Sequence, residues 1–262
     1  MMFALWLACT SPGDLREPTG EDSDLTSDSA DSSPGETDPS DTDVPGPCPE
    51  HMVYVESLPV CVDAYEASLE EWNGSEWVAF SPYSTIGDEQ LRAISSPNQA
   101  PQGYISGLQA IDACANAGKF LCNSEQWLAA CEGPDETTWP YGNTYDSNAC
   151  NDTYEGSHPV VDYFGTAEGV WDSAHMNNPG INQQPNTVAL TGEYEECVSA
   201  WGAYDMHGNL HEWVSDEEGT FRGGFYADAE INGPGCTYTT TFHTIDYNDY
   251  STGFRCCTAP NF

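Results

Sequence analysis

Positive charge is scarce in this sequence. Lys and Arg number 5 against 43 Asp and Glu, a formal net charge of −38 over 262 residues. A chain so short of cations cannot hold nucleic acid, because that binding runs on phosphate neutralisation and counterion release. Anionic membrane surfaces repel it for the same reason, while cations, Ca2+ among them, are drawn to it. Long apolar runs are also missing, and nothing approaches the roughly 20 residues a spanning helix needs. The 11 cysteines lack the paired C-x-x-C clusters of common zinc frameworks. No Ser-His-Asp arrangement, phosphate-cradling glycine loop or zinc-protease motif is visible.

What is present starts with those cysteines. So many widely spaced thiols suit a disulfide framework in an oxidising compartment. Their odd count leaves one over, and the sequence MMFALWLAC (1–9) suggests which. It reads as the end of a lipoprotein signal with Cys9 as the lipidated residue. The expected product is exported and lipid-anchored at a Gram-negative-type cell envelope, on the outer membrane or cell surface. The anchor would be its only membrane contact. Residues 10–47 are acidic and rich in Ser, Thr and Pro, with little to bury, and read as a disordered tether. Residues 48–262 read as one domain, expected to be monomeric.

Two helices stand out there. Ser106 with Gln109 makes a capping box, Leu108, Ile111 and Ala115 follow at helical spacing, and Gly118 supplies a stop. Asn123 with Gln126 starts a second helix through Trp127, Leu128 and Cys131. Elsewhere short strand-like pieces such as HMVYVES and FRGGFYA alternate with turns. Regular structure this sparse is usually held by disulfides or ions rather than by a large layered core.

Five blocks then resemble the formylglycine-generating-enzyme, or sulfatase-modifying factor, family in that family's order. They are GKFLCNSEQWLAAC (118–131), WPYGNTYDSNACN (139–151), WGAYDMHGNLHEWVSD (201–216), FRGGFY (221–226) and TGFRCC (252–257). VCVDAYEAS (60–68) looks like the family's first strand region. The resemblance implies an α+β, complex C-type-lectin-like fold, disulfide-rich and with little regular structure. Trp127 and Trp213 read as core anchors. Arg222 and Arg255 are two of only four basic residues in the domain and are expected to hold carboxylates or carbonyls.

Carried over from the family, structural Ca2+ would be held by the side chains of Asp205 and Glu212 and the carbonyls of Gly208 and Leu210. That mixture of oxygens suits the ion. A second family site begins at Asn151 with the Asp152 backbone, its other ligands expected in the Asn-rich stretch 175–186. Two family bridges carry over as Cys114–Cys256 and Cys131–Cys236. The remaining six cysteines allow many connectivities. Cys48 with Cys61, Cys122 with Cys257 and Cys150 with Cys197 form the set considered.

The family enzyme oxidises a sulfatase cysteine to formylglycine with molecular oxygen and copper(I) held by two cysteines. Here those positions fall on Asp228 and near Gly233, and a carboxylate is a poor replacement for a soft thiolate. The family's Ser after R-G-G is Phe225, its Trp before the Glu is His211, and the nearest thiol, Cys236, is assigned to a bridge. No confident catalytic residue remains. Three functions follow. One is a Ca2+-stabilised, non-catalytic binding module for a surface or secreted protein or a glycan, with exposed residues of 133–200 as part of its recognition surface. Another is the family's copper oxidase, should Cys236 and a further thiol be free. The last is an altered metalloenzyme at His211 and Asp228, with His207 and His243 as further candidate ligands.

Overall fold

The computed structural model describes residues 46–216 and 218–262. The expected signal with Cys9, and the tether up to residue 45, lie outside them. The chain begins with β1 (Met52–Val55), β2 (Val60–Asp63), β3 (Ser68–Trp72), β4 (Trp77–Ala79) and β5 (Leu91–Ile94). Helix α1 (Gly107–Asn116), strand β6 (Phe120–Leu121) and helix α2 (Ser124–Glu132) follow. Two short helices come next, α3 (Pro159–Phe164) and α4 (Ser173–Met176). The remaining strands are β7 (His211–Trp213), β8 (Phe221–Arg222), β9 (Thr239–Thr240), β10 (Thr252–Phe254) and β11 (Cys256–Thr258).

Both expected helices form with the expected caps. The Ser106 and Asn123 side chains each accept from the backbone N–H three residues on, and Gln109 and Gln126 reach back to the cap N–H. Such reciprocal bonds satisfy donors that the first turn leaves orphaned. FRGGFYA is less regular than expected. Only Phe221–Arg222 is strand, because Gly223 and Gly224 take φ of 83° and 74° and turn the chain out of the sheet.

Three small sheets result, ordered β1-β2-β11-β6, β10-β7-β8-β9 and β4-β3-β5. All pairs are antiparallel except β10 with β7, which is parallel. No layer is large, and the core is correspondingly divided. Trp213 packs with Ile105, Phe221 and Phe254 in one cluster, and Trp127 with Val62, Met206 and Val214 in another. A third cluster is largely aromatic and gathers Tyr104, Phe225, Tyr226 and Tyr250.

Disulfides join what the sheets do not. The pairs are Cys48–Cys61, Cys114–Cys256, Cys122–Cys257, Cys131–Cys236 and Cys150–Cys197, the same partition considered from the sequence. Adjacent Cys256 and Cys257 tie β11 both to α1 and to the residue after β6. Each bridge is worth about 2–4 kcal/mol.

Candidate functional site

Strand β7 organises two different places because successive side chains on a strand point to opposite faces. On one face Glu212 meets Arg255. The guanidinium Nε donates to Glu212 Oε2 at 2.6 Å and Nη2 to Oε1 at 2.5 Å, and Trp127 Nε1 donates to Oε2 at 2.7 Å. Arg255 also donates to the carbonyls of Asp63 and Tyr204, as expected for this residue. Arg222 departs from that expectation. Its Nε donates to the Ser124 hydroxyl at 2.7 Å and its guanidinium lies over Trp127.

The loop 205–210 wraps this ion pair. Asp205 and Asn209 lie in the left-handed region, φ 58° and 52°, which these two residue types tolerate best after glycine. Gly208 is there because a Cβ would stand 2.2 Å from the Asn151 carbonyl oxygen. That contact presses the two expected ion loops together. Glu66, in the 60–68 block, had no role assigned from the sequence. Buried here, its carboxylate accepts from Leu210 N at 3.1 Å and from Asn209 Nδ2. Three buried carboxylates, Glu66, Asp205 and Glu212, thus share one guanidinium. Burial, followed by the neighbouring acids, holds Glu66 well above the carboxylate range. Burial also pushes Asp205 up to about 7.

That surplus of negative charge suits a divalent cation. A carboxylate offers about four acceptor positions, and the three donors to Glu212 leave one, on Oε1. Were Ca2+ bound there, Asp205, the Gly208 and Leu210 carbonyls and the open position of Glu212 are the oxygens that would hold it. At the second loop, Asn151 Nδ2 donates to the Thr187 carbonyl and to Asn209 Oδ1. It lines a cleft of about 260 Å³ with Glu155, Gln184, Asn186, Thr187 and Glu193. Gln184 and Asn186 lie within the expected stretch 175–186, whereas Glu155, Thr187 and Glu193 lie outside it. The Asn-rich part of that stretch serves structure instead, with Asn182 bonded to the Tyr250 carbonyl and the Tyr226 hydroxyl.

The other face of β7 carries His211 into a recess of about 230 Å³. The ring lies among Phe221, Phe225 and Tyr238, with centroids 4.6, 4.9 and 5.4 Å away. It is only 6 % exposed, and its Nδ1 has no hydrogen-bond partner. Burial, reinforced by His243, pushes its pKa down to about 3, so the imidazole is neutral. An orphaned buried nitrogen costs roughly 1–3 kcal/mol.

Asp228 reaches the same recess from a tight turn in which Phe225 and Asp228 exchange backbone hydrogen bonds of 2.9 and 3.0 Å. Its Oδ1 accepts from Ile231 N at 3.1 Å, and its Oδ2 faces the Tyr238 hydroxyl at 3.4 Å. Asp249, Tyr247, Ser251 and Phe242 are also part of the lining. The sequence reading missed all of these because they come from a stretch more than ten residues away from Asp228 with no spacing motif. Asp249 is buried and accepts from the Tyr247 hydroxyl at 2.5 Å and the Ser251 hydroxyl at 2.7 Å. Burial raises its pKa. His243 stacks on Tyr247 with centroids 3.6 Å apart.

The expected candidates for a new metal centre divide. His211, Asp228 and His243 share the recess, but His207 does not. It is buried elsewhere, with Nε2 3.2 Å from Asp152 Oδ2. Among the described residues no group of three or more His, Cys, Asp or Glu side chains converges as a metal site would require. The thiol positions are no better served. Cys236 is bonded to Cys131, and Gly233 takes φ 121° with Thr237 O 3.1 Å from where a Cβ would stand, a place that strains any side chain.

Small twisted sheets, sparse helices and staples around two oxygen-lined loops define a disulfide-rich α+β module of the complex C-type-lectin-like kind. More narrowly, the chain belongs to the family of the sulfatase-modifying factor enzyme 1-like domain, whose sequence pattern matches residues 48–259. Among solved structures, PvdO from Pseudomonas aeruginosa is 15% identical over 78% of this chain and 80% of that one, with a TM-score of 0.47. The Major Tropism Determinant I1 variant is 13% identical, TM-score 0.45, over 83% of this chain and 54% of its own. Treponema denticola variable protein 1 is 12% identical, TM-score 0.40, over 80% and 98%. No curated protein sequence matches significantly.

Proposed function

We propose that this chain is a recognition module of the sulfatase-modifying factor family, stabilised by Ca2+, that binds its partner through the His211–Asp228 recess and does not act as a copper oxidase. The observation that carries this reading is the state of the cysteines. All ten in residues 48–262 are bridged, Cys236 among them, and the two positions expected to hold copper are a carboxylate and a strained glycine. Soft Cu(I) has no thiolate pair there. Five bridges also suit an oxidising compartment. In this reading the protein is exported and held at the cell envelope through Cys9, where it meets a surface or secreted protein or a glycan. Exposed Tyr145, Tyr163 and Trp171 would add contact area around it.

Alkylation of the denatured, unreduced protein followed by mass spectrometry tests the reading. The expected result is no labelled cysteine within 48–262, and no aldehyde formed on a sulfatase-type cysteine peptide with copper and oxygen. Labelling of Cys236 with a second cysteine, together with aldehyde formation, would replace this reading by the oxidase.

A further inference from the structure

The recess has a chemistry of its own that narrows its ligand. This inference rests on the recess being the binding site of the module. Its charged side chains are the acids Asp228 and Asp249, and no Lys or Arg lines it. His211 is held neutral, and burial also lowers the pKa of His243. An anionic ligand therefore has nothing to pair with and two carboxylates to oppose it. The walls are aromatic faces, Phe221, Tyr238 and Tyr247. The lining includes one of the most exposed apolar side chains described, Phe242 at 86 %.

Carboxylates behind aromatic rings attract organic cations, because the ring quadrupole adds to the charge. The cation is further specified by hydrogen bonding. A guanidinium binds best by a two-pronged contact with one carboxylate. Neither acid offers one. Asp228 Oδ1 accepts from both Glu230 N and Ile231 N and its Oδ2 faces Tyr238, while Asp249 Oδ1 accepts from both Ser251 N and Oγ and its Oδ2 from Tyr247, so neither has a position open on each oxygen. A compact or alkylated ammonium needs no fork.

We propose that the recess binds an organic ammonium ion, with the charge between Asp228 and Asp249, the alkyl groups against Tyr238 and Tyr247, and Phe242 at the mouth. The ion is a lysine-type side chain of a partner protein, and a quaternary amine is the alternative outcome of the test.

The purified protein is titrated at low salt and followed by NMR of its aromatic side chains. The probes are tetramethylammonium, butylammonium, butylguanidinium, butyrate and 3,3-dimethylbutanol. Saturable shifts are expected for the two ammonium ions. Butylguanidinium and the neutral alcohol should bind about fivefold more weakly, and butyrate not at all. Asp228→Asn keeps the oxygen that caps Ile231 but removes the charge, and should weaken ammonium binding about five- to tenfold. The exposed Phe242→Ala, which is safe for folding, should weaken it about twofold. Nα-acetyl-lysine amide and glycerophosphocholine distinguish the sources by which binds more tightly. Equal binding of the alcohol, or indifference to Asp228→Asn, would overturn the ammonium assignment and leave a recognition recess of another specificity. Absence of any shift at the recess with every probe would overturn this inference and remove the recess from the proposed function as well. Neither result bears on the thiol count.

Discussion

His211 and Glu212 are neighbours on a three-residue strand, and their surroundings are opposite. Glu212 has three donors and sits in a network where every buried carboxylate accepts hydrogen bonds. His211 is as deeply placed, yet it is neutral, flanked by rings and missing a partner. The first environment is what a fold needs to stay closed. The second costs stability, since it leaves a buried polar atom unmatched. The substitutions relative to the family, Phe225, Asp228 and His211, gather on the second side alone. The lesson is that one side conserves the means of folding while the other has changed its chemistry.

Removing the guanidinium should have the largest effect. Arg255→Met leaves Glu212 charged and unpaired beside Glu66 and Asp205 and should cost about 3–5 kcal/mol in denaturant unfolding. Arg255→Lys should recover little, because a lysine cannot reproduce the paired contact. A loss below about 1 kcal/mol would erase the contrast between the two sides. Next comes the ion. With free Ca2+ about a hundredfold above its Kd the domain should gain about 2.7 kcal/mol over the chelated protein, seen as a higher Tm that falls on adding EDTA. An unchanged Tm would leave Arg255 as the sole counter-charge to those acids.

A smaller effect separates the His211 side. The native imidazole stays neutral down to about pH 3, while the unfolded chain protonates it near about 6.5. Between those values the unfolded state binds the extra proton, so stability falls as pH falls, by at most about 1.4 kcal/mol per pH unit. Below the lower value the effect is complete, and above the upper value it is absent. His211→Phe should remove this component, read as a shallower fall than the parent between pH 6 and pH 4. Equal slopes would mean that His211 is not held neutral. The smallest change is expected at the rim, where Phe242→Ala should alter stability by no more than about 0.5 kcal/mol.

Much of the fold was legible because it rests on local signals. The capping residues Ser106 and Asn123 mark helix starts by chemistry that acts over three residues, and the five family blocks carry the architecture in order. The bridges were legible through the family and through simple pairing. The recess was legible only in part. His211 and Asp228 could be placed by matching family positions, but Asp249, Tyr247 and Phe242 arrive from a segment with no periodic or spacing cue. Glu66 was hidden differently. Its block was visible, yet nothing local shows that a carboxylate there turns inward to hold the backbone of residue 210. Strand FRGGFYA was overread because the pattern of apolar residues outweighed the two glycines that end it.

The adjacent pair Cys256–Cys257 has a consequence for how the molecule is made. Chains emerge N-terminus first at about 5–20 residues per second. Cys48 meets Cys61 almost at once, but Cys114 and Cys122 wait for partners 142 and 135 residues away, and Cys131 for one 105 away. Three thiols are thus available together before their proper partners arrive, while Cys150 and Cys197 pass by. Correct maturation depends on exchange that undoes early mispairing, so the yield of native protein should follow the supply of a disulfide isomerase more closely than the supply of oxidant.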